Sequence, residues 1–118
     1  AISKSGTSTR LFQDGSQVGS TYTDNNNYAN KPMRIGLAYD GTAGFGGNIS
    51  SFRAVKGSGL YTANFTLPSQ ITNISGTSLL TCQGRIINDR SSNNLTITVN
   101  GDATVSNTGK DIIPFEIT

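Results

Sequence analysis

Apolar and polar residues alternate with a period of two at several places along the chain, and no helical periodicity is sustained anywhere. Leu95, Ile97 and Val99 fall on one side of such a run, with Thr96 and Thr98 on the other. Ile35, Leu37 and Tyr39 repeat the pattern around Gly36 and Ala38. The stretch 47–55 carries Ile49, Phe52 and Val55, and the stretch 78–83 carries Leu79 and Leu80 before Cys82. Residues 9–22 predict a hairpin: Leu11 and Phe12 precede Asp14-Gly15, a pair in which both positions accept positive φ, and Val18 follows. A second tight turn is predicted at Asn100-Gly101, between strands at 95–99 and 103–105. The polar run 24–30 predicts a surface loop. Tyr61 to Pro68, with two aromatics and a terminal proline, predicts a packed irregular crossing or a short 3₁₀ turn. Six to eight short strands in a chain of 118 residues predict an all-β antiparallel sandwich. Strand alternation then places Leu11, Val18, Ile35, Leu37, Ile49, Phe52, Leu95, Ile97 and Val99 in its core.

Composition sharpens this picture. Charged residues make up 14% of the chain, below the usual share for a globular domain, and apolar residues 34%, a deficit that the glycines recover in part because the usual apolar share counts glycine. Ser, Thr, Asn and 14 glycines take their place. Disorder requires low hydrophobicity together with high net charge, and the net charge here is only +2. Gly and Asn instead suit many tight turns. The basic residues are scattered singly, so no stripe tracks a phosphate backbone and nucleic acid is not an expected partner. No apolar run approaches the roughly 18 residues of a membrane helix, so membrane insertion is not expected either. Cys82 is the only cysteine; it cannot form an intrachain disulfide and is expected as a buried apolar residue.

The chain lacks histidine, and its only glutamate is Glu116. Paired carboxylates and a Ser/His base are therefore missing, and the expectation is a protein that is not an enzyme. The aspartates Asp14, Asp24, Asp40 and Asp102 sit beside Gly or Asn, as turn residues do. Two binding chemistries remain. Asp24 and Asp40, with Asn25, Asn26 and Asn27, could supply oxygens to calcium, although nothing has the spacing of a dedicated calcium loop. Tyr22 and Tyr28 flank the Asn-rich loop and, with Asn25, Asn26 and Asn27, could form an aromatic platform for a glycan. Tyr39, which alternates with Ile35 and Leu37, is expected in the core. The N-x-(S/T) triplets at Asn48, Asn64, Asn73 and Asn94 are as frequent as this composition produces by chance.

Three stretches in order carry a family resemblance. Thr9-Arg10-Leu11-Phe12-Gln13-Asp14-Gly15-Ser16-Gln17-Val18-Gly19-Ser20 resembles the hairpin of concanavalin A-like and laminin-G-like domains. Met33-Arg34-Ile35-Gly36-Leu37-Ala38-Tyr39-Asp40-Gly41 is similar to the strand and turn that come next in that family. Phe45-Gly46-Gly47-Asn48-Ile49-Ser50-Ser51-Phe52-Arg53-Ala54-Val55-Lys56-Gly57 resembles its closing strand. Tyr61-Thr62-Ala63-Asn64-Phe65-Thr66-Leu67-Pro68 resembles the segment that follows such domains in tail-fibre and structural proteins of cyanophage-type bacteriophages. Residues 75–83 and 87–102 are similar to the opening of a further repeat.

The resemblance implies a jelly-roll β-sandwich, incomplete or permuted. Residues 1–68 would form the C-terminal half of one laminin-G-like sandwich, and residues 69–118 a linker plus the opening strands of a following or permuted repeat. It implies a non-catalytic virion structural or adhesion protein located in the particle: a tail fibre, a tail-associated protein or a capsid decoration. Its partners would be other virion subunits, in a homo-oligomer, and a host-surface glycan; no resident cofactor is expected. The alternative is a carbohydrate-binding module of a secreted or cell-surface bacterial adhesin or enzyme. The family's central strands are missing, so the chain is expected to be a fragment or to be completed by neighbouring subunits, because an unpaired sheet edge invites association.

Overall fold

The computed structural model describes residues 1–106, and Glu116 lies outside them. The described residues are all-β, with no helix. The strands are β1 (Ile2–Ser5), β2 (Ser8–Gln13), β3 (Ser16–Thr23), β4 (Phe52–Val55) and β5 (Thr77–Thr81). They form two antiparallel sheets, one ordered β1-β2-β3 and the other β4-β5.

The β2–β3 hairpin forms where the sequence predicts it. Gln13 pairs with Ser16, and Asp14 (φ 51°) and Gly15 (φ 80°) both take positive φ. That combination matches the turn to the twist of the strands. Gly15 has a second reason to be glycine: a Cβ there would overlap the Phe65 carbonyl oxygen. The contact is reinforced by the Phe65 N–H, which donates to the Gly15 carbonyl at 2.9 Å. Farther along, Thr9 pairs with Tyr22 and Leu11 with Val18, so Gly19, Ser20 and Thr21 of β3 stand opposite Arg10 alone. This irregularity is held from within: the Gln17 side-chain amide donates to the Gly19 carbonyl at 3.1 Å and to Thr21 Oγ1 at 3.2 Å.

Register decides which side chains are covered. Ile2, Leu11 and Val18 are successive cross-strand partners and share one face of the sheet. Phe12 points to the other face, where the 61–65 crossing lies. Its ring meets Phe65 edge-on at 5.4 Å between centroids and Tyr61 at 6.2 Å, while Tyr61 and Phe65 stack on each other at 3.6 Å. The Tyr61 N–H donates to Ser3 Oγ at 3.1 Å and ties the crossing to β1. Phe12 is thus 3% exposed, whereas Ile2, Leu11 and Val18 are 77%, 51% and 45% exposed.

The expected core is corrected accordingly. Phe12 and Leu80 are the buried hydrophobic residues among the described ones; Leu11, Val18, Leu37, Ile49, Leu95 and Val99 are exposed, and Ile35, Phe52 and Ile97 are half-buried. Leu11 and Val18 fail as core residues because no second layer among the described residues covers their face. Leu37 lies in no strand. Its segment makes a single bridge to Gly44 and turns back tightly, with the Gly41 N–H donating to the Ala38 carbonyl at 2.9 Å. Tyr39, expected in the core, sits on that turn and is exposed. The strand expected over 47–55 begins only at Phe52, after Ser51 takes a left-handed φ of 54°. No strand forms at 95–99 or 103–105, so the turn at Gly101-Asp102 joins irregular chain. Cys82 is half-buried and ends β5 with φ 60°.

Among the described residues the two sheets do not close into a complete sandwich. A cleft of about 1280 Å³ lies between β1 and β4, with Ile2, Leu11, Phe52, Val55, Tyr61 and Leu67 among its lining. The radius of gyration is 15.4 Å, larger than the roughly 13 Å of a compact domain near this length. Because Phe12 is the residue on which the crossing packs, Phe12→Ala is expected to destabilise the protein by about 3–5 kcal/mol. Urea-unfolding midpoints at one fixed protein concentration measure this. Leu11→Ala is expected to shift that midpoint far less in the single chain.

Candidate functional site

The polar loop leaving β3 is built on Asp24. Its backbone N–H donates to the Thr7 carbonyl at 2.7 Å, which ties the loop to the β1–β2 turn. The Lys4 ammonium donates to the Gly6 carbonyl at 2.7 Å and to the Asp24 carbonyl at 2.9 Å. Asp24 Oδ1 accepts the backbone N–H and the side-chain amide of Asn26, each at 2.9 Å; Oδ2 accepts the Tyr28 hydroxyl at 2.6 Å. This is Asx-turn chemistry, with a short carboxylate bending the chain around itself. Asp24 is buried where its own loop meets β1 and the β1–β2 turn.

The electrostatics follow the geometry. The Tyr28 hydroxyl, then the Asn26 backbone N–H, hold the Asp24 carboxyl below its ordinary value. Reciprocally, the bond to Asp24 pushes the Tyr28 phenol up, and Tyr22 lies near enough to add to that push. The residues expected to bind a glycan are thereby partly brought together. Asp24, Asn26 and Tyr28 form one hydrogen-bonded unit, Tyr22 lies nearby on β3, and Asn25 and Asn27 are exposed on the same loop. Both tyrosine rings are largely open to solvent.

Asp40 belongs to a separate turn. Its Oδ1 accepts the Thr42 N–H at 3.0 Å and the Thr42 hydroxyl at 2.7 Å, which lower its carboxyl below the ordinary value. Both aspartates expected at a calcium site thus spend carboxylate oxygens on their own loops. No three His, Cys, Asp or Glu side chains converge on a metal position among the described residues.

The most constrained carboxylate is one that the sequence pattern does not single out. Asp89 is 3% exposed. Its Oδ1 accepts the N–H of Leu80 at 3.0 Å and of Ser91 at 2.8 Å; its Oδ2 accepts the Ser91 hydroxyl and the Leu95 N–H, each at 2.8 Å. The Arg90 N–H donates to the Leu80 carbonyl at 2.7 Å, so residues 89 and 90 together satisfy the N–H and carbonyl of Leu80 on the edge of β5 that faces away from β4. Leu95 gives its N–H to this carboxylate rather than to a strand partner. Burial alone would push the Asp89 carboxyl up, but the N–H groups of Leu95, Leu80 and Ser91 and the Ser91 hydroxyl outweigh it and hold it at about 2. A local signal exists, since an aspartate two residues before a serine is a common Asx-turn pattern, but it gives no hint that β5 is the partner. The assembly is structural: every acceptor direction points at the chain itself.

No family model, curated protein or solved structure matches the chain. No helix among the described residues is long and apolar enough to cross a membrane.

Two outcomes follow from these carboxylates. Asp89 has a folded-state value below its ordinary 3.8, so its contribution to stability is complete above that pH and is lost as pH falls through about 2. Acid-unfolding curves should show this loss, and Asp89→Asn should lower stability at neutral pH while flattening the curve across that window. For Asp24, Tyr28→Phe should raise the carboxyl towards 3.8, read from the pH dependence of its side-chain carbon resonance.

Proposed function

We propose that this chain is a non-catalytic structural or adhesion segment of a bacteriophage virion, from a tail fibre, a tail-associated protein or a capsid decoration. In its complete form the fold is a laminin-G-like jelly-roll sandwich. The observation that carries the reading is the apolar row Ile2–Leu11–Val18, which no other described element covers, beside the cleft between the sheets. Its occurrence in a chain whose ordered stretches over residues 1–57 resemble that family supports the rest. A sheet face of this kind is stable when another layer lies on it, and in a particle that layer comes from neighbouring subunits or from further strands of the same protein. Burying each such side chain contributes roughly 1.5–3 kcal/mol, so assembly and folding are coupled. Function then resides in display. Repeated copies present the loops of the sandwich, and repetition converts weak contacts into avidity.

A second reading, a carbohydrate-binding module, is favoured by Tyr22 and Tyr28. Both rings are exposed, and Tyr28 is oriented by its bond to Asp24. Exposed aromatic rings held next to polar side chains are the groups that stack on sugars. In the virion reading the same residues would contact a host-surface glycan.

Two measurements test these readings. Sedimentation of the 118-residue chain should show concentration-dependent association, weakened by Leu11→Lys; a folded monomer with a concentration-independent cooperative melt would count against the assembly reading. Glycan-array binding that disappears in Tyr22→Ala and Tyr28→Ala would favour the carbohydrate module. The virion reading requires the protein in purified particles.

A further inference from the structure

Asn100-Gly101 is the only Asn-Gly pair in the chain, and the structure places it differently from the sequence pattern. A hairpin would clamp both residues between ladder hydrogen bonds. Here the flanking residues 95–99 and 103–106 form no ladder, and Asn100 and Gly101 are exposed. Gly101 has φ 69°, and a Cβ built on it would meet no atom within 4 Å. Its N–H makes no hydrogen bond among the described residues. Among the described residues the Asn100 side-chain amide is held only by a 3.5 Å contact to the Thr98 carbonyl.

We propose that Asn100 is a site of spontaneous covalent modification, converting to aspartate and isoaspartate with water as the only co-reactant. The Gly101 backbone nitrogen attacks Asn100 Cγ and loses its proton to solvent. The new C–N bond forms as the Cγ–Nδ2 bond breaks, and the amide nitrogen leaves as ammonia after taking up a proton. The product is a cyclic imide spanning the two residues. Water then adds to either imide carbonyl. Opening one way gives aspartate at position 100; opening the other way routes the main chain through the side-chain carbon and gives isoaspartate. Oxidation states do not change, and the net charge of +2 falls by one.

Three features favour this pair over the other asparagines. Glycine offers no side chain to obstruct the attacking nitrogen and no restriction on the rotation that brings it to Cγ. The nucleophile is unbonded among the described residues, whereas the Leu95 N–H that would attack Asn94 is held by Asp89 at 2.8 Å. The leaving amide is loose, whereas those of Asn26 and Asn93 donate to Asp24 at 2.9 Å and to the Ser78 carbonyl at 3.0 Å.

The test is to incubate the full chain in mildly alkaline buffer and follow each asparagine by peptide mass, with isoaspartate separated from aspartate by chromatography. Asn100 should convert first, giving both products. Gly101→Ala should slow the conversion by about tenfold or more, which corresponds to roughly 1.4 kcal/mol in the barrier. The Asn100→Asp chain supplies the reference for one product. Incubation in denaturant separates chemistry from folding: Asn94 should accelerate when unfolded, and Asn100 should change little. Conversion of Asn94 or Asn26 ahead of Asn100 in the folded chain, or an unchanged rate in Gly101→Ala, would overturn the proposal.

Discussion

The described fold depends on one close approach, the backbone of Phe65 against the hairpin turn at Gly15. The hydrogen bond between them, with those from Tyr61 to Ser3 and from Gln17 to Asn64, holds the 61–65 crossing on Phe12 and covers that face of the sheet. The approach is possible only because position 15 has no side chain. A turn residue selected for its φ therefore also acts as a packing residue. Sequence, turn and core meet at a single atom pair, and the covered face of the sheet follows from it.

The β4–β5 sheet solves a different problem. Two strands alone are marginal in water, and the outer edge of β5 would leave backbone groups unpaired. Asp89 and Arg90 pair Leu80 on that edge, one with a side chain and the other with backbone, and the side chains of Ser91 and Asn93 donate to the Ser78 carbonyl. A carboxylate can accept from several N–H groups at once, which a neighbouring strand could do only with several residues in register. The cost is that residues 89–95 are spent on the edge and do not form a strand of their own.

What the sequence makes legible is local. The Asp14-Gly15 hairpin can be read because its turn chemistry and flanking alternation lie within a few residues. The all-β class can be read from period-two runs, and the irregular aromatic crossing from Tyr61, Phe65 and Pro68. Which face of β2 is covered cannot be read, because alternation offers Leu11 and Phe12 equally and the choice belongs to Phe65, far along the chain. The strand expected at Leu95–Val99 is well patterned, yet its first N–H finds a carboxylate, and no pattern of apolar residues records that competition. At the candidate site, Asp24, Asn26 and Tyr28 are legible because Asx turns are short-range, while Asp89 is not because its main partner is Leu80.

The irregularity in β3 has a consequence for how this protein meets others of its kind. β3 carries no charged residue and no proline, so the two commonest chemical deterrents to strand addition are absent from that edge. What interrupts it is shape: three residues standing opposite one, braced by the Gln17 amide, and Asn64 Oδ1 accepting the Gln17 N–H at 2.8 Å. Protection by shape does not depend on Coulomb repulsion, so ionic strength leaves it unchanged.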